Sequence, residues 1–172
     1  MKCGTEKHMG TSAMIYRNQK SGLTEAELVK EFLEIISPLG FDTEVESDNG
    51  IYMNPSGNHH KAVRVWVDQN DNPDDPDYSI NGEKYYEVVF FDFIWDADRH
   101  GIESMNSDMI LAITAEYMKK YPDAIFYCEA NLLDKTDIDT LMLQPFQPDW
   151  FRFFKSHKFC HGYESRNGWI FA

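Results

Sequence analysis

At 172 residues with 42% apolar content, the chain is long enough for one domain with its own core and too hydrophobic to be a disordered polypeptide. A formal net charge of −13 argues against nucleic acid and anionic membrane surfaces as partners, because both recruit Lys and Arg. No apolar run approaches the roughly 20 residues needed to cross a bilayer and no signal-peptide core is present, so a cytoplasmic protein is expected.

Residues 1–13, MKCGTEKHMGTSA, lack periodicity, and His8-Met9 followed by Gly-Thr-Ser resembles a cloning junction. They are set aside as an expression-tag remnant or a disordered segment, leaving 14–172 as a single α+β domain. The first clear element is a helix over 24–37. Thr24 and Glu27 have capping-box spacing, Leu28, Phe32, Ile35 and Ile36 form one apolar stripe, and Pro38 and Gly40 end it. Residues 41–54 read as a hairpin. Phe41, Thr43 and Val45 alternate with Asp42, Glu44 and Glu46, giving a half-buried strand with an acidic outer face, and Asn49-Gly50 offers a type I′ turn. Lys61 to Asp68 is the next strand, with Val63, Val65 and Val67 on one face and Arg64 and Trp66 on the other.

An acidic loop over 69–76 leads through a short strand near Asp77–Ile80 and an Asn81-Gly82 turn into the stretch 83–95, EKYYEVVFFDFIW. This run is β-branched and aromatic, and it is apolar on both faces. That pattern marks a central strand covered on both sides. A second helix is expected over 107–121, capped by Asn106 or Ser107 and ended by Pro122, then a buried strand at Ala124–Cys128 and a short helix capped by Thr136. The end of the chain is aromatic, with an Asn167-Gly168 hairpin signal. The predicted fold is therefore α+β: a mainly antiparallel sheet with central strand 83–95, packed by helices 24–37 and 107–121.

Four constellations bear on chemistry. In the acidic loop, Asp68, Asn70, Asn72 and Asp74 alternate as in a calcium loop, but Pro73 stands where glycine is needed and Ser79 where a bidentate Glu is needed. Without a metal, clustering Asp71, Asp74, Asp75 and Asp77 incurs self-repulsion that a cationic partner would relieve. The alternating Asp92, Asp96, Asp98 and His100 place three carboxylates and an imidazole near a strand exit, where they could hold a divalent ion or form an acid–base pair. A polar strand exit, in which Asp96 and Asp98 cap turns and Arg99 pairs with an acid, is the favoured reading, since the chain need not stay extended beyond Trp95 and the spacing matches no known ligand set. Asp92 stands out as a lone carboxylate inside an apolar run. His157, Cys160 and His161 could join His59 and His60 in a soft-metal site, although adjacent Cys and His ligands are geometrically awkward. Cys3, Cys128 and Cys160 are too few for a disulfide framework, and no nucleophile elbow, P-loop or dinucleotide fingerprint occurs.

No cofactor is implied. The reading that follows is a non-enzymatic acidic protein that engages a basic protein partner. Asp71, Asp74, Asp75 and Asp77 would supply the charge, Asp42, Glu44 and Glu46 a second acidic stripe, and Trp66 and Tyr78 the anchors. In size, charge and architecture it resembles bacterial immunity proteins that neutralise toxins, and acidic secretion chaperones. The alternative is a small metal-dependent hydrolase using Asp92, Asp96, Asp98 and His100.

Overall fold

A computed structural model describes residues 11–46, 50–53, 63–72, 74–93, 102–128 and 131–142. In chain order the elements are β1 (Thr11–Arg17), α1 (Glu25–Ile36), β2 (Thr43–Val45), β3 (Gly50–Met53), β4 (Val63–Gln69), β5 (Ser79–Ile80), β6 (Glu83–Lys84), β7 (Glu87–Phe93), α2 (Ile102–Lys120), β8 (Ile125–Cys128), β9 (Asn131–Leu133) and α3 (Lys135–Met142). Seven strands form one sheet in the order β2-β3-β4-β7-β1-β8-β9, and β5 and β6 form a separate hairpin. Every pairing in the large sheet is antiparallel. The fold is α+β, and β7 is the fourth of the seven strands, flanked by β4 and β1.

The helices cover one face of this sheet. Ile15, Val63, Val65, Val67, Val89, Phe91, Phe126 and Cys128 project from the strands into the core. There they meet Leu28, Phe32 and Ile36 of α1, Ile110, Ile113 and Tyr117 of α2, and Ile138 and Leu141 of α3. The apolar stripe of α1 thus does what its spacing implies. The Thr24 hydroxyl accepts from the Glu27 N–H, and the Glu27 carboxylate accepts from the Thr24 N–H. A short 3-10 turn over Ser37–Leu39 and Gly40 at φ 69° end the helix.

Several boundaries differ from the expectation. The strand β1 begins at Thr11, so three residues of the segment set aside as a tag or disordered stretch belong to the sheet, and Ala13 is fully buried. The stretch 83–95 divides: Glu83–Lys84 pairs with β5, Tyr85 and Tyr86 belong to neither strand, and only Glu87–Phe93 enters the large sheet, with residues 94 and 95 outside the described residues. In the β2–β3 pair, Val45 pairs with Ile51 and the Glu46 N–H donates to the Gly50 carbonyl, so Gly50 lies in the strand, while its expected turn partner Asn49 lies outside the described residues. The strand β2 is not half-buried. It is a three-residue edge strand, and Val45 is 51% exposed.

Helix α2 starts at Ile102, ahead of Asn106 and Ser107, because Ile102–Met105 contain no Gly or Pro to stop the helix. Helix α3 is capped by Asp134, not Thr136. Asp134 Oδ1 accepts from the Asp137 N–H (2.9 Å) and Asp137 Oδ2 accepts from the Asp134 N–H (3.1 Å), a reciprocal box built from two aspartates. The expected Asn81-Gly82 turn is present, with φ 52° and 84° at the two residues. The aromatic residues beyond Met142, with Asn167-Gly168, lie outside the described residues.

Candidate functional site: an aromatic cleft on the open sheet face

The helix-free face of the sheet carries the alternate side chains of the same strands. Cross-strand register arranges them in rows. Gly50, Trp66, Phe90, Met14, Tyr127 and Leu132 form one row, and Asp68, Val88, Tyr16 and Ile125 form the next. The β5–β6 hairpin folds over the second row. Tyr78, Ile80 and Tyr85 pack there against Tyr16 and Val88, which become buried. Among the described residues nothing folds over the first row in this way, and its Leu132 is 36% exposed. At the hairpin's edge a cleft of about 610 Å³ opens, lined by Met14, Tyr16, Trp66, Asp68, Tyr78, Val88 and Phe90.

Ring packing fixes the walls. Trp66 and Phe90 have centroids 5.8 Å apart, and Tyr16 lies 5.1 Å from Tyr85 and 6.4 Å from Tyr127. Gly50, which follows Trp66 in its row, places no side chain beside the indole. Along β4, Trp66 sits between Arg64 and Asp68 on one face. The Arg64 guanidinium lies 4.9 Å from the indole centroid and donates to Glu46. On the other flank, Asp68 accepts from its neighbour Gln69 N–H (2.8 Å) and from the Tyr78 hydroxyl (2.7 Å). Among the described residues no cation pairs with Asp68. Burial, and then the hydrogen bond to Asp68, push the Tyr78 phenol well above its usual range, so it stays a donor to the carboxylate.

The acidic loop is built rather than loose. Asn70 is buried; its amide donates to the Tyr85 carbonyl (3.1 Å), and its side-chain oxygen accepts from the Asn72 N–H (2.9 Å). Asn72 repeats the device with the Asp74 N–H (3.1 Å). Both asparagine oxygens of the calcium-like pattern are therefore occupied by backbone, and no group of three or more potential metal ligands occurs among the described residues. Asp71 and Asp74 are exposed, Asp75 is half-buried, and Asp74 pairs with Lys84 at 3.0 Å. Asp77 begins no strand; it lies in the 3-10 turn Pro76–Tyr78.

The structure brings both expected anchors, Trp66 and Tyr78, into one cleft at the foot of that loop. The second acidic stripe shares the face. Glu44 stands in a row with Tyr52, Arg64 and Asp92, and Glu46 holds Arg64. Asp92 is exposed there, opposite Arg64 in register; it is not buried in the apolar run. Asp96, Asp98 and His100 lie outside the described residues, as do His59, His60, His157, Cys160 and His161.

Sequence reading missed Met14 and Tyr16, because β1 went unrecognised, and gave no role to Val88 and Phe90 beyond the core. The alternation Ala13-Met14-Ile15-Tyr16 was the available signal. No described helix is long and apolar enough to cross a membrane. Compared with known protein families, curated proteins and solved structures, the chain has no significant match.

Proposed function

We propose that this protein is a non-enzymatic acidic binder whose open sheet face receives a basic protein partner, in the manner of a toxin-neutralising immunity protein or an acidic secretion chaperone. The observation that carries the reading is the convergence of Trp66, Tyr78 and Asp68 in one cleft directly beneath the acidic loop. Aromatic side chains in a partly covered pocket are the usual anchors of a protein interface. Carboxylates around them supply steering: Asp71, Asp74 and Asp75 on one side, Glu44, Glu46 and Asp92 on another. With a net charge of −13, long-range attraction acts on a basic partner and repels an acidic one.

The test is capture with tagged full-length protein from the native lysate, washed at rising salt, run beside an Asp71→Lys/Asp74→Lys variant and a Trp66→Ala variant. A single basic protein that is retained by the parent, released by salt, and lost from both variants supports the reading. Equal affinity and equal salt dependence in the loop variant would remove the acidic loop from the interface.

A further inference from the structure

The geometry points to an arginine side chain of the basic partner as the occupant of the cleft, its guanidinium against Asp68 and the ring of Trp66, its aliphatic stem along Val88 and Phe90. This deepens the proposed function and rests on it for the source of the arginine. Two observations select a cation. Asp68 is an exposed carboxylate at the rim of the cleft that Tyr16, Trp66, Tyr78 and Phe90 line, with no cationic partner among the described residues. A cation placed there meets the carboxylate on one side and aromatic faces on the other, which add to the attraction for it. Trp66 already accepts one guanidinium, that of Arg64 at 4.9 Å, from its neighbour two residues back along β4. The Asp68 flank of the same indole is the acidic one. On the β3 side of the row, Gly50 next to Trp66 adds no side chain against the indole.

Arginine fits better than lysine on the same evidence. Its planar guanidinium stacks on a ring and still presents two parallel N–H donors, and it is more weakly hydrated than an ammonium. Each Asp68 oxygen is oriented by one hydrogen bond, from Gln69 N–H to Oδ1 and from Tyr78 to Oδ2. A carboxylate oxygen has two lone-pair sites, so a bidentate pair remains feasible without breaking either bond. The stem of the side chain then covers apolar surface of the exposed row, as long cationic side chains do.

The experiment titrates full-length ¹⁵N-labelled protein with the capped tripeptide acetyl-Gly-Arg-Gly-amide, and with its lysine and norleucine counterparts. The indole N–H signal of Trp66, identified by its loss in Trp66→Phe, reports occupancy. The arginine peptide is expected to shift that signal saturably at millimolar concentration, with lysine weaker and norleucine without effect. Asp68→Asn keeps an acceptor for Tyr78 while removing the charge, and should weaken arginine binding by up to about fivefold, the range of an exposed ion pair. An equal response to norleucine would overturn the inference and leave an apolar groove. An arginine response unchanged by Asp68→Asn, or none at all, would overturn it as well. A basic partner lost on loop charge reversal but indifferent to Asp68→Asn would discard the arginine pocket and leave the acidic-binder reading standing.

Discussion

Replacing Glu87 by Gln should be among the most destabilising single changes outside the apolar core. Glu87 is 2% exposed and lies at the start of β7, opposite Arg17 at the end of β1. Its Oε2 accepts from Arg17 at 2.6 Å, and its Oε1 accepts from the Ser21 N–H and hydroxyl at 2.6 and 2.5 Å. The guanidinium is stacked 3.6 Å from the centroid of the Tyr121 ring, and its Nε has no hydrogen-bond partner among the described residues. Among the described residues Glu87 is thus the one ion-pair partner of a buried cation. Glutamine keeps the shape and an acceptor for Ser21 but turns its NH2 toward the guanidinium, so the change removes both the charge and the acceptor that face Arg17. Stranding a buried ion in this way costs about 3–5 kcal/mol. For a chain of this size that corresponds to a fall in Tm of roughly 6–20 °C. Urea unfolding followed by circular dichroism gives the free energy directly. The double variant Arg17→Met/Glu87→Leu replaces both charges by apolar groups and should recover most of the loss, because the desolvation cost disappears with the pair. A loss below about 1 kcal/mol for Glu87→Gln would show that water already reaches the guanidinium. A double variant worse than the single would show that the pair itself, and not the orphaned charge, was the source of stability.

Thr24→Ala removes the hydroxyl half of the α1 capping box and should lower the unfolding free energy by about 1 kcal/mol, read from the urea midpoint. Phe32→Ala opens a cavity where α1 meets Tyr117 and the sheet, and should cost about 3–5 kcal/mol in the same assay. Gly82→Ala puts a side chain at φ 84° and should cost about 1–2 kcal/mol; near-ultraviolet dichroism from the Tyr78 and Tyr85 surroundings should change with it, and an unaltered spectrum and melt would mean the hairpin is not held by its turn. In alkali, Tyr121 is pushed up to about 12 by burial and by its hydrogen bond to Glu31. The folded state therefore holds that proton more firmly than the unfolded chain, whose tyrosines ionise near 10. Stability is fully present below pH 10 and is lost as the pH rises toward about 12. Phenolate absorbance should show tyrosines that ionise only as the protein unfolds, and complete titration of all of them near pH 10 with the fold intact would refute this.

Local signals in the chain were legible where each residue could act with near neighbours. Thr24 and Glu27 cap a helix within one turn, and Asn81-Gly82 can adopt positive φ without help from the rest of the chain. The alternation Val63, Val65, Val67 against Arg64 and Trp66 placed one set in the core and the other on the open face. What could not be read was set by distant partners. Residues 11–17 carry only a short alternation, and their strand exists because β7 and β8 offer edges on either side. The cap of α3 was by contrast a local signal passed over: Asp134 and Asp137 have capping-box spacing, and aspartate is at least as good an N-cap as Thr136. Trp66 and Tyr78 could be named as neighbours of the acidic loop, but the cleft between them needs Met14 and Tyr16, which enter through β1. Asp92 stands among apolar sequence neighbours, which left its burial open; it is exposed, because among the described residues the hairpin that shelters Val88 does not extend to its end of β7.

The position of β1 also bears on how the molecule is made. This strand is synthesised well before both of its partners: Ile15 pairs with Val89 on one side and with Phe126 on the other. Until those residues leave the ribosome, Thr11–Arg17 have no strand to join, and the meander β2-β3-β4 has no bridge to β8 and β9. Closure of the sheet is consequently a late, long-range event, of the kind that slows folding and exposes unpaired strand edges while it is pending. It also makes the start of the chain a sensitive place to tether anything: a bulky fusion close to Thr11 would sit at the end of an interior strand, whereas a free edge tolerates such an attachment.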